Sequence, residues 1–461
     1  MAEGVSMGKR VVVIGAGVAG LVAAHRLATD TDAEVIVLEA ADRAGGQLRT
    51  IDFLGLPIDV GAEALYLHYP VLKKIVDELG LADDLVPANT GTTLLAGEHK
   101  LRPMPAGVGP TGPTKLLPVL RSGILSPAGV IRAGREPLHT KHTLDTGDIS
   151  VGEFLTRRFG REVVDKFVAP MLGNLHSGDI DRLSLRATAP QLVKAATEGT
   201  SLLRAKRPAG GGGPGFVSFP GGLRTFVDAL AAGLDVRLGQ GATSLEQRPD
   251  REGWLVHTDG EVIEARALVV ATSAEDAARL LGRVAPVARP LHAGRTASIA
   301  TILTAYERGA AEEALAKLHK GPVNGVMVPP HLHRLMKAAT ILSNKWPQAV
   351  HPELLLVRLS AGRVGQTTVA RCSDDLLATR VQAEFAELIG LDAAPQHTKV
   401  VRWTVPQAEV GHVGRLRRIR NALAAPIPPI ALAGAPYDGI GLGSVVTSGN
   451  AAASQIAHVV V

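Results

Sequence analysis

Cysteine is almost missing: Cys372 stands alone in 461 residues. The chain therefore has no internal disulfide and no zinc or iron–sulfur cluster built on cysteines, and Cys372 reads as a small buried hydrophobe in a reducing compartment. Aromatic side chains are scarce as well, with 8 Phe, 3 Trp and 4 Tyr, so Ala, Val, Leu and Ile must wall the cores and any cavity. No run of about 18 apolar residues occurs, which excludes a helix spanning a bilayer. Met1 to Arg10 lack the apolar stretch and small-residue cleavage site of a secretory signal, and a cytoplasmic location is expected. Charge of either sign is thin: 49 Lys and Arg against 44 Asp and Glu leave a net +5. No basic stripe interleaved with aromatics is present, which argues against a nucleic-acid partner.

Length and a 46% apolar content suit a globular enzyme of two or three domains rather than a binding module. Glycine is plentiful, at 51, and its first cluster is informative. Val11 to Ile14 form a β-branched run ended by Gly15-Ala16-Gly17-Val18-Ala19-Gly20, and Leu21 to Leu27 read as a helix. In this arrangement Gly15 permits the tight turn, Gly17 lets the backbone approach a pyrophosphate, and Gly20 allows close helix–strand packing at a helix N-terminus. A second strand, Glu34 to Leu38, ends in Glu39, an acid placed to accept from ribose hydroxyls and unfavourable to a 2′-phosphate. FAD or NAD is expected, not NADP.

Ala41 to Thr50 contain a further glycine loop, Arg43-Ala44-Gly45-Gly46-Gln47. With it the chain resembles the FAD-dependent amine oxidase and protoporphyrinogen oxidase superfamily. The resemblance implies that Arg43 lies by the cofactor phosphates and that Gly45, Gly46 and Gln47 approach the ribityl chain and flavin. The strand Leu234 to Gly239 matches the segment that touches the adenine side through Val236. Near the end of the chain, Ile430 to Gly434, the turn Ala435 to Gly439, and Gly441-Leu442-Gly443-Ser444 before a small-residue helix match the segment that returns to the flavin. Gly434, Ser444 and Val445 are the implied contacts there.

Ordered motifs across nearly the whole chain are similar to the protoporphyrinogen and coproporphyrinogen oxidase family: Ser150 to Leu155, Pro170 to Gly173, Ser177 to Ala187, Val326 to Pro330, Lys345-Trp346-Pro347, Leu356-Val357-Arg358, Arg402-Trp403 and Gly411-His412. This implies an α/β plus α+β fold. A Rossmann-like FAD domain is assembled from residues 1–95, 215–285 and 425–461. Residues 96–210 form a helical lobe that faces membranes in several members, and 286–424 a mixed-sheet substrate domain. The implied reaction removes six electrons from a porphyrinogen in three hydride transfers to flavin, with O2 as acceptor and no metal. Residues 100–142 carry Lys100, Arg102, Lys115, Arg121, Arg132, Arg135 and Lys141 against one acid, Glu136, a segment suited to anionic lipid or to substrate carboxylates. Arg121, Arg135, Lys166 and Arg186 are the candidate carboxylate partners.

The chain departs from that family where the substrate is expected. Gly61 to Pro70 have His68 where an arginine is usual, Gly173-Asn174-Leu175-His176-Ser177-Gly178 replace glycine-valine-tyrosine-alanine-glycine, Ala408 stands where a tyrosine is common, and Gln47 replaces a basic residue. His68 and His176, both at departures, are the candidate catalytic residues. A recruited oxidase of an amine or another biosynthetic intermediate, an NAD-dependent dehydrogenase, and a flavin-binding regulatory protein without turnover are the alternative readings.

Overall fold

The structure is a computed structural model and describes residues 9–141, 144, 147–205, 215–424 and 428–460. The β-branched run near the N-terminus becomes the strand Arg10–Ile14 at the centre of a five-stranded, all-parallel sheet. Its order is Asp235–Leu238, Glu34–Glu39, Arg10–Ile14, Ala267–Val270, Ile430–Leu432. Burial on both faces explains why four of these strands read as apolar runs, whereas the edge strand Asp235–Leu238 is half-exposed and mixed in composition. Val11, Val13, Val35, Val37 and Val269 pack under the helices Val18–Asp30 and Leu442–Val460. Val12, Ile14, Ile36, Leu38, Leu268 and Val270 point the other way, onto Trp254, Leu280 and Leu281. Trp254 lies in an antiparallel three-stranded sheet of Ser244–Gln247, Trp254–His257 and Val262–Ala265 that covers this second face. Strands from three remote stretches of chain thus share one hydrophobic sandwich.

A seven-stranded mixed sheet stands beside it, in the order His397–Pro406, Thr296–Glu307, Leu354–Ala361, Met336–Ile341, Val323–Met327, Thr92–Ala96, Leu101–Pro103. Its Ala300, Ile302, Leu355, Val357 and Leu359 face the helices Arg308–Leu318 and Asp374–Ile389. The second helix is bounded by local chemistry: the Ser373 hydroxyl accepts from Leu376 N–H, Asp374 and Asp375 occupy the first turn, and Gly390 closes it at φ +67°. The opposite face carries Thr301, Arg358 and Trp403, onto which Val60 and Gly61 are tied by hydrogen bonds.

The helical lobe is built from Leu116–Ser122, Pro127–Gly134, Val151–Phe159 and the π-helical stretch Val164–Gly173 around Phe154, Phe159 and Phe167. Pro170 lies inside that stretch and has no N–H to give to a regular turn.

The structure redraws three of the expected boundaries. Thr92–Ala96 and Leu101–Pro103 are the last two strands on one side of the seven-stranded sheet, so they belong with neither the nucleotide segment nor the lobe. Phe53, Ile58 and Val60 pack with Leu303 and Leu356 of that sheet. Leu416, Ile419 and Leu423, expected with the substrate segment, pack against the parallel sheet's core. Each assignment depends on a partner far away in sequence, which local patterning does not carry.

Candidate functional site

The glycine loop between the first strand and helix has the shape that a pyrophosphate needs. Gly15 sits at φ +105°, and a Cβ there would come within 2.8 Å of the Ala271 carbonyl. A Cβ on Gly20 would lie 1.9 Å from the Gly15 carbonyl. Gly17 differs, because a Cβ on it would meet nothing within 4 Å. Open space therefore lies over the N-terminus of Val18–Asp30, whose cap residue is this same Gly17 and makes no side-chain cap bond. Uncapped N–H groups beside open space fit a dinucleotide phosphate. Glu39, at the end of the neighbouring strand, accepts from Ala16 N–H at 2.8 Å and Ala41 N–H at 2.9 Å, which fixes its carboxylate over the loop.

The second glycine loop docks on the first: Gly45 N–H donates to the Ala16 carbonyl at 2.8 Å, and Gly46, at φ +57°, faces the Gly17 Cα. Arg43 donates to the carbonyls of Ala44, Gly46 and Leu48, so it braces the loop from within and forms no bond to Asp42 or Glu39 among the described residues. Gln47 is exposed, and its amide donates to the Thr404 carbonyl at 3.1 Å, joining the loop to the mixed sheet. Val236 is half-buried on the edge strand of the parallel sheet. At the far end of the chain, Gly434 N–H donates to the Ser448 hydroxyl at 2.8 Å. The expected turn after it is one helical turn, Ala435–Asp438. Ser444 and Val445 open the helix Leu442–Val460, which packs along Val18–Asp30 through Val446, Ala453 and Ile456.

Where the segment after Gly61 crosses the mixed sheet, a charged cluster emerges that sequence reading missed. Glu63 Oε1 accepts from Lys345 Nζ at 2.6 Å and from Trp346 Nε1 at 2.9 Å, and Oε2 accepts from Arg358 at 3.0 Å. Burial alone would raise the Glu63 pKa, but the Lys345 and Arg358 charges outweigh it and hold the carboxyl at about 2. Lys345 lies 5.7 Å from the Phe216 ring and 5.3 Å from the Trp346 ring. Glu63, Lys345 and Arg358 all stand in segments quoted above as motifs. Only the fold shows that residues nearly 300 positions apart meet.

His68 is exposed, against Tyr66 with ring centroids 4.9 Å apart and beside Gly215. His176 is buried at the end of the π-helical stretch, and burial lowers its pKa to about 4, so it is a neutral imidazole. The two share no hydrogen-bond partner among the described residues. Next to His176, Ser177 adopts φ +51° and its hydroxyl meets Lys337 Nζ. Asn174 donates to the carbonyls of Val328 and Lys337 and accepts from Arg363. The departures at Asn174 and Ser177 therefore serve a buried network that locks the lobe to the sheet. Of the candidate carboxylate partners, Lys166 is held by Glu162 and the Ile124 carbonyl, and Arg186 donates to the Gly147 carbonyl. Arg121 and Arg135 are exposed on the lobe.

The profile of the family described as flavin containing amine oxidoreductase matches residues 18–457. The chain is 28% identical to coproporphyrinogen III oxidase of Bacillus subtilis (strain 168), with 97% of each covered. It is 30% identical to coproporphyrinogen III oxidase of Mycobacterium tuberculosis (strain ATCC 25618 / H37Rv), with 96% of each covered. A crystal structure from Exiguobacterium sp. 255-15, which carries the provisional name protoporphyrinogen oxidase, is similar with a TM-score of 0.84 and 26% identity over 99% of this chain and 100% of that one. Among the described residues no helix is long and apolar enough to cross a membrane. With a family profile that spans nearly its full length and a glycine cradle open at Gly17, the chain belongs to the flavin-containing amine oxidoreductases and is an FAD-dependent enzyme.

Proposed function

We propose that the protein oxidises a porphyrinogen, coproporphyrinogen III or protoporphyrinogen IX, to the porphyrin with O2 as final acceptor. The observation that carries this reading is the end-to-end similarity to the coproporphyrinogen III oxidases named above. FAD, when bound, supplies the hydride acceptor. The FAD unit is the parallel sheet with its three contributing stretches, 1–95, 215–285 and 425–461, less the strands that join the mixed sheet. Residues 286–424 supply the substrate-binding sheet and 96–210 the helical lobe. Gly15, Gly17, Gly20, Glu39, Gly45, Gly46, Gln47, Val236, Gly434, Ser444 and Val445 hold the cofactor, and Arg43 acts by bracing its loop. The N-terminus of Leu442–Val460 offers positive potential where negative charge accumulates on reduction. Glu63 stays ionised at neutral pH, so it orients cations and takes no proton. His68 and His176 are site residues in this reading. His176, being neutral, acts by shape and hydrogen bonding, and His176→Ala lowers turnover by about tenfold or more while FAD stays bound; unchanged turnover removes it from the site.

Peripheral membrane contact by a cytoplasmic enzyme is the second part of the proposal. Glu136 is buried, and Arg102 and Arg132 are spent on backbone carbonyls. What remains exposed from residues 100–142 includes Lys100, Lys115, Arg121, Arg135 and Lys141, together with Leu117, Leu120, Ile131 and Leu138. Cations around exposed aliphatic side chains suit an anionic lipid surface.

The deciding experiment is aerobic incubation of the yellow holoenzyme with each porphyrinogen against a heat-killed control. Porphyrin fluorescence and peroxide are expected to rise together. No enzyme-dependent rise with FAD demonstrably bound would overturn the proposal in favour of an amine or another biosynthetic intermediate as substrate.

A further inference from the structure

We propose that Lys345, held by Glu63 beside the Phe216 ring on which Tyr66 packs, with Arg358 behind it, forms a carboxylate-binding site that takes one acid group of a planar aromatic or macrocyclic substrate. The proposal rests on the porphyrinogen reading only for the identity of that substrate. Charge is the first argument. One carboxylate is shared by two cations, a net single positive charge for these three residues. Asp59, the other carboxyl that acts on Arg358, is engaged by the Thr50 hydroxyl and Leu223 N–H, and its interacting groups include Arg358 but not Lys345. Glu63 and Arg358 side chains are both 15% exposed and Lys345 is 24% exposed, so the charge is largely withdrawn from water and acts over a short range with little screening.

Donor capacity is the second argument. Arg358 is used by Glu63 and by the carbonyls of Gly61 and Val60. Lys345 gives one hydrogen bond, to Glu63, and its other two N–H groups make no hydrogen bond among the described residues but lie against the rings of Phe216 and Trp346, weaker partners than a carboxylate. An ammonium has three donors to satisfy, and the two unspent ones are the accessible part of this cluster.

The rings beside it are the third argument. Phe216 and Tyr66 pack 4.8 Å apart between centroids, and both remain exposed, although aromatic residues are few in this chain. Their strands, Phe216–Ser218 and Leu65–Tyr66, pair directly, so the rings are placed side by side by register. An apolar ring surface next to unspent donors suits a flat acid. It repels an alkylammonium group by the same charge, so the cluster favours an acid over an amine as substrate.

The test uses the holoenzyme titrated with coproporphyrin III, with its tetramethyl ester, and with benzoate, binding being read from fluorescence quenching or from the flavin absorption change. Lys345→Met removes the donors and is expected to weaken coproporphyrin III and benzoate by about tenfold, whereas Lys345→Arg retains most of the affinity. Glu63→Gln frees one positive charge and is expected to tighten both acids severalfold. Neither change moves the ester. A purely structural cluster would instead lose affinity, FAD or thermal stability in both Lys345→Met and Glu63→Gln. Loss in both, equal shifts for acid and ester, or no shift in either would overturn the site, as would a wild type that binds no acid. Benzoate alone showing the opposed shifts would keep the carboxylate site and reject the porphyrin-sized substrate.

Discussion

Gly17 caps the helix Val18–Asp30 and Gly20 lies in its first turn, and the two do different work. At Gly20 any side chain collides with the Gly15 carbonyl, whereas at Gly17 it projects into open space. Gly17→Val is therefore expected to leave the melting temperature of the cofactor-free protein nearly unchanged and to abolish FAD retention, and Gly20→Val to lower that melting temperature itself. Thermal unfolding with and without added FAD separates the two. Lys337 makes a second residue-scale prediction. Burial, with Arg363 and Arg358 nearby, lowers its pKa from 10.5 to about 7. Between those values the unfolded chain holds a proton that the folded chain has released, so stability rises with pH across that window. Wild type is expected to gain melting temperature relative to Lys337→Met from pH 7 to pH 10. A flat difference would show that the amine is not deprotonated by folding.

Among the elements, the lobe helix Val151–Phe159 depends most on one polar contact. Its Arg158, with no exposed side-chain surface, pairs with the equally buried Glu136. Glu136 also accepts from the Ser201 hydroxyl and from Leu202 N–H, so one carboxylate ties the turn Glu136–Leu138, the helix and the chain near Ser201 together. Removing one partner leaves an uncompensated buried charge. Glu136→Ala is expected to destabilise the protein by about 3–5 kcal/mol, seen as a lower denaturation midpoint and faster proteolysis within the lobe. A loss below about 1 kcal/mol, the size of an exposed pair, would mean that the site stays hydrated. In sequence Glu136 reads as the one acid diluting a basic stretch. The fold takes it inside and leaves the surface more cationic than composition suggests.

For the whole molecule, that surface yields the last prediction. Sedimentation with vesicles rich in anionic phospholipid is expected to carry the protein down at low salt, less so as ionic strength rises, and less after Leu138→Glu. Equal sedimentation with neutral vesicles would exclude charge as the cause. The same scale shows what local patterning conveyed. The inner strands of the parallel sheet were legible because burial on both faces writes short apolar runs. The glycine cradle was legible because its backbone geometry tolerates few residues other than glycine. The strand Thr92–Ala96 of the mixed sheet was not, because its placement follows from a parallel partner, Val323–Met327, more than 200 residues away.

By itself the sequence determined the strand, glycine turn and helix at its start and the parallel strands that follow the same pattern, since these are written in short-range spacing under strict steric demand, and its ordered motifs carried the resemblance to the flavin family. Tertiary structure alone decided which charges meet. It brought Glu63 to Lys345 and Arg358, spent Lys166 within the lobe, and turned Asn174 and Ser177 toward Lys337. Coulomb and hydrogen-bond energies depend on distances of a few ångströms, and those distances exist only once remote strands have been laid side by side.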